Sequence, residues 1–353
     1  MSFFLFRHRG RSAGSSLKQY VTALFVTVCM VSALLCSCSK AGKADQKPLT
    51  MVFYPNESSE SRRDAREAFQ EVLQEAVGRP VEILTTTDYN IALEALVSGK
   101  ADMAYVGAEG YITAHNRNSA VIPLVTNSGP SGTRDDAKYY SFIAVQKKDA
   151  DMYKNANGDF DLSLLKGKRI SFVAASSTSG FIIPARALAA AFSLDSTDDL
   201  ILDDKVFSKV LFAGSHQGSG VNLFRGDADA AAFAIPLTLT VYELIDGVPF
   251  QSGASYRIAE GADEPFTSFA GTEITVIRSI PVLNAPITVN SKTVSAADIE
   301  KIRAALTSDK TANHPGIFNI KDSGKKGIYP KYSEKTRLVP TDDAWYDEVR
   351  NAK

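Results

Sequence analysis

The sequence predicts an α/β protein with two lobes, each a mixed, mainly parallel sheet flanked by helices, and a ligand cleft between the lobes. Strand-like and helix-like segments alternate from Leu49 onward, the order expected of parallel sheets covered by helices. A helix end followed by Gly, Ala-Asp and an apolar strand occurs at 96–104 and again at 224–231. Two similar lobes would produce this repetition, although two similar turns can also arise by chance. Serine and threonine residues at 176–179, between a strand and a helix, indicate where a ligand is held.

Residues 1–37 have the features of a bacterial export signal. Basic residues without any acid come first, at Arg7, Arg9, Arg11 and Lys18. The 15-residue apolar run Val21–Leu35 that follows suits a signal peptide better than a membrane span. Leu35 and Ser37 stand before Cys38 as in the lipobox of a bacterial lipoprotein, so we expect cleavage before Cys38 and lipidation of its thiol. An ordinary signal peptide with incidental cysteines is the alternative.

The mature chain is expected to be an exported, mildly acidic protein. Removing the four basic residues of the signal leaves 35 Lys and Arg against 40 Asp and Glu, a net charge of −5. Such a chain without a basic run is a poor nucleic-acid binder. All three cysteines (Cys29, Cys36 and Cys38) lie within or at the end of the signal, so disulfides and cysteine chemistry are excluded from the folded body. Residues 38–47 are small and polar and are expected to form a flexible, lipidated tether.

The first part of the body predicts a β-α-β-α-β order. Apolar, partly β-branched segments predict strands at 49–53, 81–84 and 101–106. Helices are expected from Ser61 to Gly78 and from Asp88 to Gly99, because apolar residues recur at helical spacing and glycine ends each segment. Sheets of this kind bind ligands beyond the carboxyl ends of their strands, so we expect a site there.

The remainder of the chain predicts a second set of strands and helices. Strands are expected at 139–145, 170–174, 210–213, 228–234, 273–277 and 287–289. Helices are expected at 162–165, 181–192, around 221–224, at 295–306 and at the end of the chain. Pro281 and Pro286 indicate an extended crossing segment between the last two strands. Residues 316–335 are polar and contain glycines, which predicts a surface loop.

The segment Ser176-Ser177-Thr178-Ser179-Gly180 is the strongest candidate site. Hydroxyl donors, a flexible glycine and the free N–H groups of a starting helix together suit an anion. A helix cap alone is the simpler interpretation, since Ser and Thr often cap helices. One hydroxyl residue would suffice for a cap, however, and four stand here in succession.

Residues 177–180 resemble the Ser-Thr-Ser-Gly motif of the phosphonate/phosphite/phosphate-binding proteins of ABC transporters, a periplasmic-binding-protein type II family. In that family the motif grips the phosphoryl oxygens. The resemblance covers the mature chain from about Leu49 to its end. Further segments similar to family motifs are Asp88-Tyr89, Ala101–Gly107 with Tyr111, Tyr139–Ser141, Phe212–His216, Ile280–Pro286 and Val339–Asp343.

The resemblance implies a two-lobed body with lobe 1 at 48–140 and 283–353, and lobe 2 at 141–282. The ligand-binding residues that it implies are Ser177, Thr178, Ser179, Gly180, Tyr89, Tyr139, His216, Gly107 and Tyr111. The alternative roles are helix packing for Tyr89, strand packing for Tyr139, surface exposure for His216, a tight turn for Gly107 and core packing for Tyr111. Crossing segments at 139–145 and 275–289 are expected to act as a hinge.

The resemblance further implies a lipid-anchored solute-binding protein that delivers a phosphorus oxyanion to an ABC permease and its ATPase. We expect a monomer in the bacterial cell envelope, anchored through Cys38 on the periplasmic side or at the cell surface. An enzyme is disfavoured because the chain has no Gly-x-Ser-x-Gly, His-Glu-x-x-His or Walker A motif. We therefore expect no cofactor and no metal. The alternatives are a sensory or adhesive surface lipoprotein and a binder of another small anionic or phosphorylated solute.

The residues after the Ala-Asp strand of lobe 2 also suggest what the ligand lacks. No acid follows Asp229 until Glu243, so a ligand ammonium group would have no counter-charge there. We therefore expect a compact ligand without a charged substituent, unless Glu109 or Glu273 supplies the charge from elsewhere in the cleft.

Overall fold

Two mixed β-sheets flanked by helices form the framework of the chain. The structure, a computed structural model, describes residues 47–235 and 241–351. The expected signal peptide, the lipidation site at Cys38 and residues 39–46 of the tether lie outside the described residues. Among the helices that are described, none is long and apolar enough to cross a membrane.

The strands, in chain order, are β1 (Leu49–Phe53), β2 (Val81–Thr85), β3 (Met103–Tyr105), β4 (Val121–Asn127), β5 (Lys138–Gln146), β6 (Arg169–Phe172), β7 (Lys209–Phe212), β8 (Ala230–Phe233), β9 (Tyr242–Asp246), β10 (Ser255–Ile258), β11 (Glu273–Leu283), β12 (Pro286–Asn290), β13 (Phe318–Asn319), β14 (Tyr329–Pro330) and β15 (Leu338–Pro340).

The α-helices are α1 (Pro55–Ser58), α2 (Arg63–Val77), α3 (Tyr89–Val97), α4 (Ala108–Arg117), α5 (Ile183–Phe192), α6 (His216–Arg225), α7 (Ala296–Leu306), α8 (Asp309–Ala312) and α9 (Asp347–Asn351). Short 3-10 turns occupy Glu60–Arg62, Lys147–Tyr153, Leu162–Leu165, Asp198–Ile201, Thr267–Phe269 and Ala344–Tyr346. A π-helical turn, Thr178–Ile182, leads directly into α5.

The first sheet has the strand order β15-β4-β12-β3-β1-β2. β1 is parallel to both β2 and β3, whereas β12 is antiparallel to both of its neighbours. Four of these six strands therefore point the same way, and β12 and β15 return against them. The carboxyl ends of β1 and β3 lie side by side, which places the residues that follow Phe53 and Tyr105 at one edge of the sheet.

The second sheet has the strand order β7-β6-β8-β5-β11-β10-β9. β6 is parallel to β7 and β8, and β5 is antiparallel to β8 and β11. Five of these seven strands point the same way. Both sheets are thus mixed, with one predominant direction, as the sequence predicts. The hydroxyl segment follows the carboxyl end of β6.

Apolar faces of the helices pack on these sheets. Phe69 and Leu73 of α2 are fully buried together with Phe53 of β1 and Ile302 of α7. Burying each such side chain contributes about 1.5–3 kcal/mol relative to exposure. α2 begins at Arg63 after a 3-10 turn, two residues later than the sequence predicts, and ends at Gly78 in the left-handed conformation, as predicted.

The chain passes between the two sheets at 128–137 and again at 284–285. These passages lie side by side, because Asn284 donates its backbone N–H to Ala137 O (3.0 Å) and its Nδ2 to Asn127 O (2.8 Å). The hinge segment expected at 139–145 belongs to β5, and the one expected at 275–289 consists of β11, the passage at 284–285 and β12; β5 and β11 are hydrogen-bonded to each other. The passages themselves are therefore the better candidates for a hinge.

Candidate ligand-binding site

A cavity of about 150 Å³ lies between the two sheets. Residues of both sheets and of the passage at 284–285 line its wall. Seven of the nine expected ligand-binding residues line this cavity: Tyr89, Gly107, Tyr139, Ser177, Thr178, Ser179 and His216. Residues from distant parts of the sequence thus come together at the place where the hydroxyl segment begins its helix.

Ser177 caps the π-helical turn that opens α5. Its Oγ accepts a hydrogen bond from the N–H of Gly180 at 3.2 Å, and its carbonyl accepts from the N–H of Ile182 at 3.0 Å. In the described part of the chain, the N–H groups of Thr178 and Ser179 have no protein acceptor, as expected for a first helical turn. These two N–H groups carry the partial positive charge of a helix N-terminus and suit an anion.

Thr178 connects this helix with α4. Its Oγ1 accepts a hydrogen bond from the N–H of Glu109 at 2.9 Å. Gly107, which precedes α4, makes this approach possible: a Cβ there would lie 2.7 Å from Thr178 Oγ1. Gly107 therefore keeps space for Thr178, a steric role that is independent of any turn.

His216 is a neutral hydrogen-bond donor beside Ser179. Its Nδ1 accepts from the N–H of Ala234 at 3.0 Å, so in the neutral ring the proton resides on Nε2. Nε2 lies 3.5 Å from Ser179 Oγ at the cavity wall. Burial lowers the pKa of His216 to about 4, so the ring is uncharged near neutral pH.

Two tyrosines add hydroxyl groups to the same wall. Tyr89 OH accepts a hydrogen bond from Asn56 Nδ2 at 2.6 Å, and burial raises the pKa of Tyr89 far above its usual range. Burial also raises the pKa of Tyr139 to about 12, although contact with Ser179 partly opposes this. Both hydroxyls therefore stay protonated at physiological pH and can donate to a ligand.

Asn56 links the two sides of the cavity, a role that the sequence did not predict. Its Oδ1 accepts from the backbone N–H of His216 at 3.0 Å, while its Nδ2 donates to Tyr89 OH. Gln217 Nε2 donates in turn to Asn56 O at 3.2 Å. The N-terminus of α6 is thereby held against the residues that follow β1.

Glu57 and Arg62 also line the cavity and were missed from the sequence. The Oε2 atom of Glu57 is buried, and desolvation raises the pKa of Glu57 to about 7 although Arg62 opposes the shift. Arg62 is 4% exposed and donates from Nη1 to Gly327 O at 3.0 Å. The signal for both was their position: they follow β1, whose carboxyl end faces the site.

Glu57 is thus an acid at the cavity wall that the sequence analysis did not consider. The two acids considered in its place lie outside the lining. Glu109 Oε2 is 3.9 Å from Arg186 Nη2, and Glu273 pairs with Arg257 at 2.6 Å and with Lys147 at 3.3 Å. The segment 316–335, expected to be a surface loop, also contributes cavity residues, including Ile328 and Tyr329.

Two expected site residues, Gly180 and Tyr111, do not line the cavity. A Cβ on Gly180 would lie 2.2 Å from Val173 Cγ2, so this glycine permits tight packing of the turn on the residue that follows β6. Tyr111 is fully buried, donates its hydroxyl to Asp343 Oδ1 at 2.6 Å and packs on Tyr346. Its alternative role in core packing is the one that the structure favours.

A family model described as "ABC transporter, phosphonate, periplasmic substrate-binding protein" matches residues 51–346. The chain belongs to this phosphonate-binding protein family. Among its relatives is the phosphate-import protein PhnD of Mycolicibacterium smegmatis, 27% identical over 229 residues, which are 63% of this chain and 68% of the relative. The resemblance inferred from the Ser-Thr-Ser-Gly segment is thus confirmed.

Solved structures of the phosphonate-binding family have the same fold. A binding-protein component of an ABC phosphonate transporter from Pseudomonas aeruginosa aligns with a TM-score of 0.59 and 17% identity, over 87% of this chain and 85% of that one. PhnD1 of Prochlorococcus marinus, in complex with methylphosphonate, aligns with a TM-score of 0.60 and 16% identity, over 86% and 96% of the two chains. The predicted fold class is therefore confirmed.

Across the described residues, no group of three or more His, Cys, Asp or Glu side chains is arranged to hold a metal ion. The cavity wall presents hydroxyl groups, amide groups and one imidazole, with Glu57 and Arg62 as its charged members. Such a wall can hold a small anion through hydrogen bonds.

Proposed function

We propose that this chain captures a phosphorus oxyanion (phosphate, phosphite or a phosphonate) in the cavity and presents it to an ABC permease and its ATPase. The observation that carries the proposal is the helix start at Thr178 and Ser179. Their N–H groups are without protein acceptors, and their side chains are 3% and 2% exposed at the cavity wall. A helix N-terminus with free N–H groups in a water-poor pocket is a ready anion site.

The surrounding donors support an anion over a neutral ligand. The hydroxyls of Ser179, Tyr89 and Tyr139 and the Nε2–H of His216 can all donate to oxygens placed at the helix start. Hydrogen bonds to a charged group contribute about 1.5–3 kcal/mol each, roughly twice as much as neutral ones. A phosphorus oxyanion presents several oxygens and can accept from many donors at once.

The named relatives support the same class of ligand. The mycobacterial relative is named a phosphate-import protein, and the Prochlorococcus relative was crystallised with methylphosphonate. Phosphate and small phosphonates are therefore the first candidates for this chain.

The hydrogen bonding of the His216 imidazole, which lines the cavity, is consistent with binding without catalysis. His216 Nδ1 is occupied by the N–H of Ala234, and Nε2 carries the remaining proton, so neither nitrogen is placed to accept a proton from a nucleophile. We accordingly propose a non-catalytic, monomeric binding protein.

We also propose that the protein is exported and held at a membrane through a lipid on Cys38, on the periplasmic side or at the cell surface. The sequence 35–38 and the basic, then apolar segment before it support this proposal. Within the body, 48–140 with 283–353 and 141–282 remain our proposed lobes.

The test replaces hydroxyl groups of the helix start. Thr178→Ala and Ser179→Ala should each weaken binding of phosphate or methylphosphonate by about 1.5–3 kcal/mol, or about 10- to 150-fold in Kd by calorimetry. Ser176→Ala is the matched control, since Ser176 belongs to the same loop but lies outside the cavity lining. Unchanged affinity in the double variant Thr178→Ala/Ser179→Ala would refute the proposed site.

A further inference from the structure

An ion pair outside the cavity joins the parts of the chain that pack on the two sheets. Lys326 Nζ pairs with Asp263 Oδ2. Asp263 stands between β10 and β11 of the second sheet, whereas Lys326 stands between β13 and β14. Phe318 of β13 and Tyr329 of β14 are buried in the same core as β1 of the first sheet. The pair therefore connects the core of the first sheet with the second sheet.

Asp263 is held in place by the second sheet. Its carbonyl accepts a hydrogen bond from the N–H of Phe266 at 2.8 Å, which closes a tight turn. Ala262 and Phe266, on either side of it, are 6% and 2% exposed and are buried in the same core as β10 and β11. The carboxylate thus moves with the second sheet, and its backbone is already ordered when it forms the pair.

The other side of the contact carries two cations. Lys326 donates its backbone N–H to Asp64 Oδ2 at 3.3 Å, and the next residue, Gly327, accepts from Arg62 Nη1 at 3.0 Å. Burial lowers the pKa of the Arg62 guanidinium, and among the groups that oppose this shift are the carboxylates of Glu57 and Asp263. Asp263 therefore faces a direct partner, Lys326, and a favourable charge, Arg62.

We propose that Asp263 is a positioning residue that binds between the cations Arg62 and Lys326 and thereby stabilises the arrangement of the sheets that encloses the ligand. The inference goes beyond the proposed function and rests on it, because it concerns how the same anion is retained. Asp263 and Lys326 lie outside the cavity lining, so the inference gives neither of them a ligand contact.

The interaction with Arg62 is what gives Asp263 its importance. The side chains of Asp263 and Lys326 are 40% and 47% exposed, and an ion pair of this kind contributes little by itself. Arg62 is only 4% exposed, and charge interactions are screened less where water is excluded. Separation of the sheets would withdraw Asp263 from Arg62 but leave Glu57, which precedes Arg62 closely in the chain.

The segment that carries Lys326 continues into the cavity wall. Ile328 and Tyr329 follow Lys326 directly in the chain after Gly327, and both line the cavity. A ligand that binds the closed arrangement has an apparent Kd equal to its intrinsic Kd divided by the closed fraction. A contact that raises this fraction therefore lowers the Kd without touching the ligand.

The experiment measures Kd for phosphate and methylphosphonate by calorimetry on the mature protein. Asp263→Lys, which places a third cation beside Arg62 and Lys326, should weaken binding about tenfold or more. Glu264→Lys is the matched control, because it makes the same change of charge at an exposed neighbour and should bind as the wild type does. Asp263→Asn should weaken binding about threefold and serves if Asp263→Lys does not fold.

Reversal of both charges separates the ion pair from a general loss of structure. Asp263→Lys/Lys326→Asp restores an oppositely charged pair but leaves a cation at position 263 facing Arg62. Binding should therefore recover only in part, by about threefold relative to Asp263→Lys. In stopped-flow measurements, the loss in Asp263→Lys should appear mainly as faster release of the ligand.

A wild-type Kd in folded Asp263→Lys, or a loss of binding that the double reversal does not relieve, would overturn this inference alone. A wild type that binds neither phosphate nor methylphosphonate would instead overturn the proposed function, so the two failures are distinguishable.

Discussion

Glu57 and His216 should give the stability of this protein two opposite pH dependences that largely cancel. Burial raises the pKa of Glu57 from its usual 4.5 to about 7, and burial lowers the pKa of His216 from its usual 6.5 to about 4. Each shift favours the uncharged form of its group in the folded state. The two windows overlap between about pH 4.5 and 6.5.

For Glu57, the folded state keeps a proton that the unfolded state has lost. Its stabilising contribution is therefore complete below pH 4.5 and is lost as pH rises to about 7. A shift of this size corresponds to about 3 kcal/mol, since one pKa unit is about 1.4 kcal/mol. For His216, the unfolded state binds a proton as pH falls below about 6.5, whereas the folded state stays unprotonated until about pH 4. That contribution is complete above pH 6.5 and is lost, again by about 3 kcal/mol, as pH falls to about 4.

Urea unfolding of the ligand-free protein between about pH 4 and 7 measures the contributions of Glu57 and His216 to stability. The free energy of unfolding of Glu57→Gln, relative to wild type, should rise by about 3 kcal/mol between pH 4.5 and 7. That of His216→Gln, relative to wild type, should rise by a similar amount as pH falls from 6.5 to 4. Glu60→Gln, at an exposed position, should follow the wild type at every pH.

The quantity to compare is the free energy of unfolding of each variant minus that of the wild type, because the other carboxylates contribute equally to the variant and to the wild type. A relative free energy of unfolding that stays flat with pH for both variants would refute the assignment of these two shifted groups. The double variant should restore a pH dependence close to that of the wild type in the overlapping window, since both opposing contributions are then absent.

Two further predictions concern the lipidation site and the hydrogen bonds of Asn56 across the cavity. Labelled palmitate should enter the wild-type protein and the Cys36→Ala control in cells but not Cys38→Ala; equal labelling of all three would contradict lipidation at Cys38. Asn56→Ala removes the link between the His216 N–H and Tyr89 OH, so the ligand-free variant should show a larger radius of gyration in solution scattering than the wild type. The same compact form in both proteins would show that this link does not hold the cavity closed.

The hydroxyl segment could be predicted from the sequence because its signal is local. A strand, four hydroxyl residues, a glycine and a helix lie within about twenty positions, and the helix start alone supplies the anion-binding N–H groups. Tyr89 and His216 were expected through the family resemblance, and the structure places each at the beginning of a helix. The order of strands and helices was predicted by the same kind of periodicity, which is why the fold class was correct.

The residues that were missed are brought to the cavity by long-range contacts. Glu57 stands in an unremarkable Asn-Glu-Ser segment, and the residues that share the cavity wall with it include members of the second sheet and of the segment near Tyr329. Residues 316–335 have a polar composition typical of a surface loop, yet Phe318 and Tyr329 are buried through the pairing of β13 and β14. Tyr111 is the opposite case: it was expected to line the cavity, but its hydroxyl donates a hydrogen bond to Asp343, which lies far along the chain.

The contacts across the cavity also support the proposed position of the anion. Helices α4, α5 and α6 all begin at the cavity, so each is a possible anion site in isolation. Thr178 Oγ1 already accepts from Glu109 N–H at the start of α4, and Asn56 Oδ1 accepts from His216 N–H at the start of α6. At the start of α5, the N–H groups of Thr178 and Ser179 both lack a protein acceptor among the described residues. An anion bound there, as we propose, would satisfy these two N–H groups, while the contacts at Glu109 N–H and His216 N–H hold the starts of α4 and α6 at the cavity.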